Sequence, residues 1–371
     1  MSQNKLHEKD HSEVRAHVEE KALRAKSAGA RLRVTSSAVK DAALLAMADS
    51  LLTRREEIEA ANTKDLEAGA ARGLASAMLD RLKLNEARIQ AMAEGCRQIA
   101  ALPDPIGEVI KGWKRPNGLS IEHIRVPLGV IGVIYESRPN VTVDAAALCL
   151  KAGNAVLLRG GSEAFHSNLL LTQIISEAAT QAGVPEYSLQ AIETTDRAAT
   201  QHLVQLNGLV DLVIPRGGEG LKKSLEAVAT VPLIFAAGGV CHIFVDESAD
   251  IEEAADIVFN AKVQRPSTCN ALETLLVHKD IAREFLPVAA KKLCDTGVEL
   301  RGDERAREAV SMSEATPQDW DTEYLDLTLA VRVVDDLDTA IAHIEAHGTG
   351  HSDRSLPKDY TSAEYFCANV D

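Results

Sequence analysis

The sequence predicts an α/β protein built from two doubly wound parallel-sheet domains and an added β-hairpin. Aromatic residues make up only 4% of the chain, so the core consists mainly of aliphatic side chains, which is typical of helices packed on buried parallel strands. From Gly129 onward, short apolar runs alternate with helical patterns. The dipeptide Asn117-Gly118 separates two short strand-like segments, which is a strong signal for a hairpin.

The N-terminal part of the chain predicts helices. Residues 14–102 are rich in Ala, Leu, Glu, Lys and Arg, and apolar side chains recur at helical spacing over residues 39–48. A second amphipathic stretch, residues 79–102, ends before Pro103 and Pro105, because proline cannot continue a helix. The predicted hairpin follows at about residues 108–127.

Beyond the hairpin, alternating strands and helices predict a parallel sheet with helices on both faces. Predicted strands lie at residues 130–135, 155–158, 189–192, 210–214 and 240–245, and predicted helices at residues 143–152, 163–183, 197–206 and 219–229. A second pattern of the same type has helices near residues 251–261, 281–296 and 337–347. The pattern changes near Gly238-Gly239, which predicts one domain over residues 1–240 and another over residues 241–371.

Composition argues against several classes of protein. The formal net charge of −15 disfavours nucleic-acid binding, which needs a basic surface to neutralise phosphates. No signal peptide or membrane-spanning apolar run is evident, so a cytoplasmic protein is expected. The 6 cysteines are far apart and form no C-x-x-C pair, so neither a metal site nor a redox pair is expected.

Cys269 is the first candidate for covalent chemistry. It lies between the polar segment 264–268 and an apolar run that predicts a strand, so its thiol would stand at the end of an element. Arg265, or a helix N-terminus nearby, would supply the positive potential that favours a thiolate. The alternative is a buried structural cysteine. Cys241, which lies beside His242 in an apolar strand, is interpreted in that way because adjacent strand residues point to opposite faces.

Two segments share a design in which a buried strand ends in Arg-Gly-Gly and a helix follows. The two Arg-Gly-Gly sequences start at Arg159 and at Arg216. Strand ends of parallel sheets bind ligands, glycines let the backbone approach closely, and helix N-termini attract anions. Each loop alone is better explained as a tight turn beside a solvated arginine, but together they indicate a phosphate-bearing cofactor. Neither loop matches a named nucleotide-binding motif, so the pattern does not identify the nucleotide.

Residues 126–142, residues 151–164 and the window around Cys269 are long enough to be specific. They resemble the γ-glutamyl phosphate reductase family of the aldehyde dehydrogenase superfamily, and the resemblance runs along the whole chain. It implies an aldehyde dehydrogenase-like fold, with the hairpin as an oligomerisation element. It also implies NADPH-dependent reduction of L-glutamate 5-phosphate to L-glutamate 5-semialdehyde, the second step of L-proline biosynthesis.

The resemblance further implies roles for particular residues. Residues 1–240 would bind NADPH and residues 241–371 would form the catalytic domain. Cys269 matches the family nucleophile, and Asn140 matches the asparagine that stabilises an oxyanion. Arg138 and Arg265 are candidates for substrate binding on charge and position. The positions that match cofactor-binding residues are Arg159, Gly160, Ser162, Gly217, Gly218 and Glu323. Among these, Arg159 suits the 2′-phosphate of NADPH.

Two departures from the family bear on function. Hydrolytic aldehyde dehydrogenases carry a glutamate base in a segment that here, at residues 233–239, contains no carboxylate. Because an acyl phosphate needs no activated water, this absence fits reduction better than oxidation of free aldehydes. The family also continues past Asp371, so the catalytic domain is expected to be truncated relative to the family. A homo-oligomer, specifically a dimer, is expected where the family's C-terminal segment is present.

Two alternatives stay open on sequence alone. In the first, the chain is a dehydrogenase for another aldehyde or acyl phosphate. In the second, it is an inactive truncated homologue that binds a nucleotide. The leading interpretation predicts a small-molecule substrate and neither nucleic-acid nor membrane binding. Glutamate 5-kinase is a functional partner by pathway logic, because its acyl phosphate product is labile.

Overall fold

The computed structural model describes the backbone of residues 2–74, 76–136, 138–235 and 238–370. The chain divides into two units, Met1–Ala236 and Ala237–Asp371, here called the N-terminal unit and the C-terminal unit. Each unit is built around a parallel sheet. Among the described residues, no helix combines the length and the apolar character that crossing a membrane requires.

The N-terminal unit begins with the predicted helices. They are α1 (Ser2–Leu32), α2 (Ser37–Thr53), α3 (Arg55–Ala71), α4 (Ser76–Leu82) and α5 (Glu86–Ala101). Helix α2 buries Leu44, Met47 and Leu51, which share one face at helical spacing. Asn85 caps α5 by accepting a hydrogen bond from the backbone N–H of Arg88 at 3.0 Å.

The predicted hairpin is confirmed. Strands β1 (Val109–Lys114) and β2 (Ser120–Ile124) pair in antiparallel fashion. The backbone N–H of Arg115 donates to the carbonyl of Leu119 at 2.8 Å across the turn, and Gly118 takes a φ of +87°, which suits glycine. Most side chains of both strands are exposed, so the hairpin contributes little to the core of its own unit.

A parallel sheet and its helices form the rest of this unit. The strands, in the order β5-β4-β3-β6, are β3 (Val130–Tyr135), β4 (Ala155–Gly160), β5 (Leu189–Ala191) and β6 (Leu212–Arg216). The helices are α6 (Asn140–Lys151), α7 (Phe165–Gln181), α8 (Arg197–Leu203) and α9 (Glu219–Glu226), with a 3₁₀ turn at Ser162–Ala164. Ile131 and Val133 of β3 belong to the core formed with α2, α5, α6 and α7, whereas Val130 and Ile134 belong to the core formed with α1 and α8. Both faces of the sheet are therefore covered, as the alternation predicted.

The structure corrects several predicted boundaries near the candidate site. Strand β4 extends to Gly160, so Arg159 and Gly160 belong to the strand and not to the loop after it. Strand β6 is shifted toward the C-terminus and includes Arg216. Helix α6 begins at Asn140, three residues before the predicted helix start at Val143. These elements continue through polar residues, where the hydrophobic pattern that predicts them gives no signal.

The C-terminal unit has its own sheet and core. Its elements are β7 (Cys241–Val245), α10 (Ile251–Val263), β8 (Leu272–His278), α11 (Lys279–Cys294), β9 (Glu299–Gly302), α12 (Glu304–Ala309), β10 (Ser313–Glu314), β11 (Thr328–Val334), α13 (Leu337–His347), β12 (Asp353–Leu356) and α14 (Tyr360–Asn369). A 3₁₀ helix at Pro317–Asp321 precedes β11. The sheet is parallel and has the order β10-β9-β11-β8-β7-β12. Strands β7 and β8 are adjacent and fully buried, and the candidate nucleophile lies at their amino ends.

Candidate active site

The candidate nucleophile lies in the loop that joins α10 to β8. Cys269 is exposed. Both the backbone N–H and the hydroxyl of Thr268 donate to the carbonyl of Arg265, at 3.2 and 2.7 Å. The N–H of Ala271 donates to the carbonyl of Thr268 at 3.0 Å. The thiol therefore stands on a hydrogen-bonded turn and is accessible to a ligand.

Gly239 and Cys241 contact the backbone of Cys269. A Cβ atom on Gly239 would lie 1.6 Å from the carbonyl oxygen of Cys269, so the site has no room for a side chain. The thiol of Cys241 donates a hydrogen bond to the same oxygen, with Sγ and O 3.2 Å apart. Burial raises the pKa of Cys241 to about 12, so this thiol keeps its proton at neutral pH and stays a donor. Cys241 is buried, as predicted, but it also helps to fix the main chain of the candidate nucleophile.

Glu323, the residue predicted for the nicotinamide ribose, lies between the 3₁₀ helix and β11. Its carboxylate accepts a hydrogen bond from the backbone N–H of Gly239 at 2.9 Å. Gly239 thus contacts both Glu323 and Cys269, and the structure brings these two predicted residues to the same end of β7. Leu325, in the same segment, has a φ of 54°, in the left-handed region that leucine rarely adopts.

A fully buried ion pair supports this segment. The ammonium of Lys262 on α10 lies 2.7 Å from the carboxylate of Glu273 on β8, and neither side chain is exposed. The other carboxylate oxygen of Glu273 accepts the backbone N–H of Leu325 at 3.2 Å. Burial raises the pKa of Glu273 and lowers that of Lys262, so each charge depends on the other inside the protein. The pair links α10, β8 and the segment that carries Glu323.

Asn140, the candidate oxyanion donor, is the first residue of α6 in the N-terminal unit. Its side-chain Nδ2 donates to the carboxylate of Asp144, one turn further along the helix, at 2.9 Å. An amide has two N–H donors, and the second has no partner among the described residues. Asp144 therefore orients the amide without exhausting its donors. Arg138 is half-buried just before the start of α6.

A cavity of about 790 Å³ lies in the N-terminal unit at the carboxyl ends of β3 and β4. Arg159 and Ser162, both predicted to bind the cofactor, line it. Strand ends of this kind are where open parallel sheets bind nucleotides, and the volume is typical of a small-molecule site. Arg72 and Arg197 also line the cavity, which gives it cations suited to phosphate groups. The residues present therefore fit the nucleotide part of a phosphate-bearing cofactor.

The predicted glycines differ in their surroundings. Gly160 packs against α7, because a Cβ atom there would lie 2.1 Å from the amide nitrogen of Asn168. A Cβ atom on Gly217 would lie 2.7 Å from a carboxylate oxygen of Glu136, which lines the cavity. Gly218 has open space around it. Two of the three glycines therefore allow close packing within the protein, and none of the three lines the cavity itself.

Arg159 is buried, and its guanidinium group is bound to the protein backbone. Nη1 donates to the carbonyl of Gly160, and Nη2 donates to the carbonyls of Thr195 and Asp196 at 3.2 Å each. Burial lowers the pKa of Arg159 from its usual value. Both terminal nitrogens therefore contact the backbone, while the Nε is buried and has no hydrogen-bond partner among the described residues.

A smaller cavity of about 210 Å³ lies in the C-terminal unit beside the loop of the candidate nucleophile. Arg265, Thr268 and Asn270 of that loop line it together with Arg354 of β12. The Nη1 of Arg354 is buried and has no hydrogen-bond partner among the described residues. Two guanidinium groups make this cavity suitable for an anionic group.

The matches to known proteins decide the family. A sequence model of the aldehyde dehydrogenase family matches residues 4–313. The chain is 55% identical to the γ-glutamyl phosphate reductase of Moorella thermoacetica, over 96% of this chain and 86% of the relative. It is 53% identical to the γ-glutamyl phosphate reductase of Clostridium novyi, over the same shares of the two chains. The chain belongs to the γ-glutamyl phosphate reductase family.

Solved structures of this family agree with that assignment. The γ-glutamyl phosphate reductase of Thermotoga maritima matches with a TM-score of 0.93 and 47% identity, over 96% of this chain and 86% of that chain. An acetylating aldehyde dehydrogenase from Geobacillus thermoglucosidasius, at 18% identity and a TM-score of 0.67, shares the fold. The aldehyde dehydrogenase-like fold is therefore confirmed. Membership of the γ-glutamyl phosphate reductase family makes the chain an oxidoreductase, and the aldehyde dehydrogenase family implies a nicotinamide cofactor.

Sequence reasoning missed the residues that support the site. Gly239 was interpreted only as a marker of the domain change, and Asp144 and Lys262 were not singled out. Glu273 carries the one usable signal, because it is a charged residue inside an apolar strand and a buried charge requires a partner. The partner itself cannot be named from the sequence, since pairing depends on how α10 packs on β8.

Proposed function

We propose that this chain reduces L-glutamate 5-phosphate to L-glutamate 5-semialdehyde and phosphate with NADPH, the second step of L-proline biosynthesis. The observation that carries the proposal is the exposed Cys269, whose carbonyl contacts both Gly239 and Cys241, in a chain 55% identical to a γ-glutamyl phosphate reductase. An accessible thiol on a rigid support is what covalent acyl transfer requires.

Cys269 is the proposed nucleophile. Its thiolate attacks the acyl carbonyl carbon, the bond from that carbon to the phosphate oxygen breaks, and phosphate leaves with the electron pair. We assign Asn140 as a donor to the oxyanion, because one amide N–H is fixed by Asp144 and the other has no partner among the described residues. The absence of a carboxylate at residues 233–239 fits this chemistry, since no water has to be activated.

The nicotinamide cofactor, when bound, supplies the hydride that reduces the acyl group. We propose that residues 1–240 bind it and that residues 241–371 carry the catalytic cysteine. The proposed cofactor residues are Arg159, Gly160, Ser162, Gly217, Gly218 and Glu323. The cavity at the ends of β3 and β4 supports this proposal for Arg159 and Ser162. The hydrogen bond that Glu323 accepts from Gly239 supports it for Glu323.

Arg265 and Arg138 are the proposed substrate-binding residues. Arg265 supports the proposal more strongly, because it lines the smaller cavity and lies in the same loop as Cys269. A guanidinium group binds carboxylates and phosphates through parallel hydrogen bonds, which suits both anionic ends of glutamate 5-phosphate.

The reverse reaction tests the proposed function. The full chain is supplied with L-glutamate 5-semialdehyde, phosphate and NADP⁺, and formation of NADPH is followed. We expect turnover that depends on phosphate, and a loss of kcat of about 10³-fold or more in Cys269→Ser, because an alcohol replaces the thiolate. Cys294→Ser changes another exposed cysteine of the same unit and should keep full activity.

The contrary results are equally distinct. Turnover that does not need phosphate would point to a dehydrogenase of free aldehydes. A folded wild-type chain without turnover would reject the reductase, and an active Cys269→Ser variant would reject the covalent mechanism.

We also infer that the enzyme works in the cytoplasm and receives its labile substrate from glutamate 5-kinase. The test combines cell fractionation with coupled assays in which the kinase is either mixed with this chain or separated from it by a dialysis membrane. Equal semialdehyde yields in the two arrangements would exclude a benefit from proximity.

A further inference from the structure

The cavity of the N-terminal unit contains arginines in two different states. Arg159 is buried, and both of its Nη atoms donate to backbone carbonyls. Arg197, the first residue of α8, is exposed and makes no side-chain hydrogen bond or salt bridge with any described residue. Both residues line the same cavity. Of the two, Arg197 has its forked donors available for a ligand.

The contacts of Arg159 hold the backbone from which Arg197 extends. Its Nη2 donates to the carbonyls of Thr195 and Asp196, the residues immediately before α8, at 3.2 Å each. Asp196 in turn caps α8, because its carboxylate accepts the backbone N–H of Ala198 at 2.8 Å. The loop is thus bound on both sides of the position where Arg197 begins, and its side chain starts from a fixed point.

The other charges of the cavity limit what each part can bind. Glu136 and Glu163 line it as well, and carboxylates accept hydrogen bonds from ribose hydroxyl groups but repel phosphate. A phosphate monoester replaces a neutral hydroxyl group with between about one and a half and two negative charges. A cation that is free to pair with this group therefore distinguishes a nucleotide with a 2′-phosphate from one without it. Arg72, at the end of α3, adds positive charge to the same cavity.

We propose that Arg197 binds the 2′-phosphate of NADPH and that Arg159 is a positioning residue for it. This inference rests on the proposed use of NADPH, and it moves to Arg197 the phosphate contact that the sequence assigns to Arg159. A guanidinium group meets a phosphate through two parallel hydrogen bonds. Arg197 can form them without breaking an existing ion pair, whereas the Nη2 of Arg159 would first have to release the carbonyls of Thr195 and Asp196.

The test measures nucleotide binding without turnover. Isothermal titration calorimetry with 2′,5′-ADP and with 5′-AMP gives the preference for the 2′-phosphate as the ratio of two dissociation constants. We expect the wild-type chain to prefer 2′,5′-ADP, and Arg197→Ala to reduce that preference by about 10- to 100-fold while 5′-AMP binding stays unchanged. Arg197→Lys should retain part of the preference, because it keeps the charge without the fork. Arg283→Ala removes an exposed arginine on α11 and should change neither constant.

Arg159 is expected to respond differently from Arg197. Arg159→Lys should weaken the binding of both nucleotides alike and lower the melting temperature, because it removes donors from the backbone carbonyls of Thr195 and Asp196. Arg197→Ala should leave the melting temperature of the ligand-free protein unchanged. An unaltered nucleotide preference in Arg197→Ala, or a loss of preference confined to Arg159→Lys, would overturn the assignment.

Failure of this inference can be told apart from failure of the proposed function. A wild-type chain that prefers 2′,5′-ADP, loses the preference in Arg197→Ala and shows no phosphate-dependent turnover keeps the assignment and rejects the reductase. A chain that turns over its substrate equally well with NADP⁺ and NAD⁺, and binds the two nucleotides equally, keeps the activity and rejects the assignment.

Discussion

The carbonyl group of Cys269 shows how single residues control this site. The carbonyl lies against the bare Cα of Gly239 and accepts the thiol of Cys241, so the main chain of the candidate nucleophile is fixed from outside its own loop. The glycine is needed for space and not for an unusual backbone conformation, since its φ lies outside the left-handed region.

Gly239→Ala should therefore separate activity from folding. The added methyl group would occupy the place of the Cys269 carbonyl oxygen, so the loop has to move. A displacement of about 1 Å in a catalytic group can cost about 10²-fold in rate, and we expect kcat of the reverse reaction to fall by that factor. Steady-state kinetics and a thermal melt on the same preparation measure the two effects.

Gly29→Ala provides the matched control for this substitution. Gly29 lies in α1, and an added Cβ would meet its nearest neighbour at 3.4 Å, an ordinary contact. It should keep full activity. If Gly239→Ala were as active as Gly29→Ala, the position of the Cys269 carbonyl would have no part in catalysis.

Cys269 could be found from the sequence because its evidence is local. Polar neighbours and a following apolar run indicate an exposed position at a strand end, and the structure places it there. Gly239 and Cys241 could not be recognised in the same way. Their contacts with Cys269 arise because β7 and β8 are neighbours in the sheet. The local sequence of either strand does not predict that they are neighbours.

Between elements, the buried pair of Lys262 and Glu273 ties α10 to β8. Its second hydrogen bond reaches the backbone of Leu325, so the pair also holds the segment that carries Glu323. A pair that is completely removed from water is costly to break, because one uncompensated charge stays inside.

Substitutions in this pair should be strongly destabilising one at a time. Lys262→Met and Glu273→Leu should each lower the free energy of unfolding by about 3–5 kcal/mol. The double variant should be destabilised by much less than the sum of these two effects. Denaturant unfolding of the four proteins measures the coupling. Since Glu273 holds the Glu323 segment, the double variant should still show a raised KM for the cofactor.

Lys292→Met is the control on the protein surface. Lys292 of α11 bridges Glu252 and Asp256 of α10 at 3.1 and 2.7 Å, and both acids are exposed. Its loss should leave the free energy of unfolding close to that of the wild type, because ion pairs on the surface contribute little to stability. Additive effects of Lys262→Met and Glu273→Leu would mean that the buried pair is not a coupled unit.

The elements nearest the candidate site in the N-terminal unit were predictable, but their polar ends were not. Strand β4 and helix α6 were found from their apolar residues, yet the predicted bounds left out Arg159 and Asn140. Backbone hydrogen bonding extends both elements through these polar residues. The error matters, because a strand residue with its side chain turned back onto the backbone, as in Arg159, offers a ligand less than a loop residue would.

On the scale of the whole molecule, the hairpin of β1 and β2 exposes several large apolar side chains. Ile110 is 51% exposed and Trp113 is 42% exposed. Two strands alone are marginally stable in water, and apolar patches on a protein surface mark interaction sites. We propose that a second copy of the chain covers the hairpin.

The double substitution Ile110→Asp/Trp113→Asp should then change the state of assembly. We expect the wild-type chain to be a dimer and the variant to be a monomer of unchanged helix content, because the charges replace apolar surface that the second copy would cover. Light scattering coupled to size-exclusion chromatography measures the molar mass. Leu23→Asp alters another exposed apolar residue, 53% accessible, and should stay dimeric. An identical mass for all three proteins would reject the hairpin as the interface.

The class of fold was predictable because the alternation of apolar strands and helices repeats along most of the chain. The strand order was not predictable, since β5-β4-β3-β6 and β10-β9-β11-β8-β7-β12 depend on contacts between distant segments. The short strands β9, β10 and β12 were not predicted either, because two to four residues are too few to show the alternation of a strand.

Leu325 has an energetically unfavourable backbone conformation close to Glu323. Its left-handed backbone is unfavourable for a leucine by roughly 1–2 kcal/mol, and a glycine there would remove that cost. The strain lies within a few residues of Glu323 and is held in place by Glu273. A residue other than glycine keeps a left-handed conformation only where its surroundings fix it, so the hydrogen bond from Leu325 to Glu273 opposes a local relaxation that would also move Glu323.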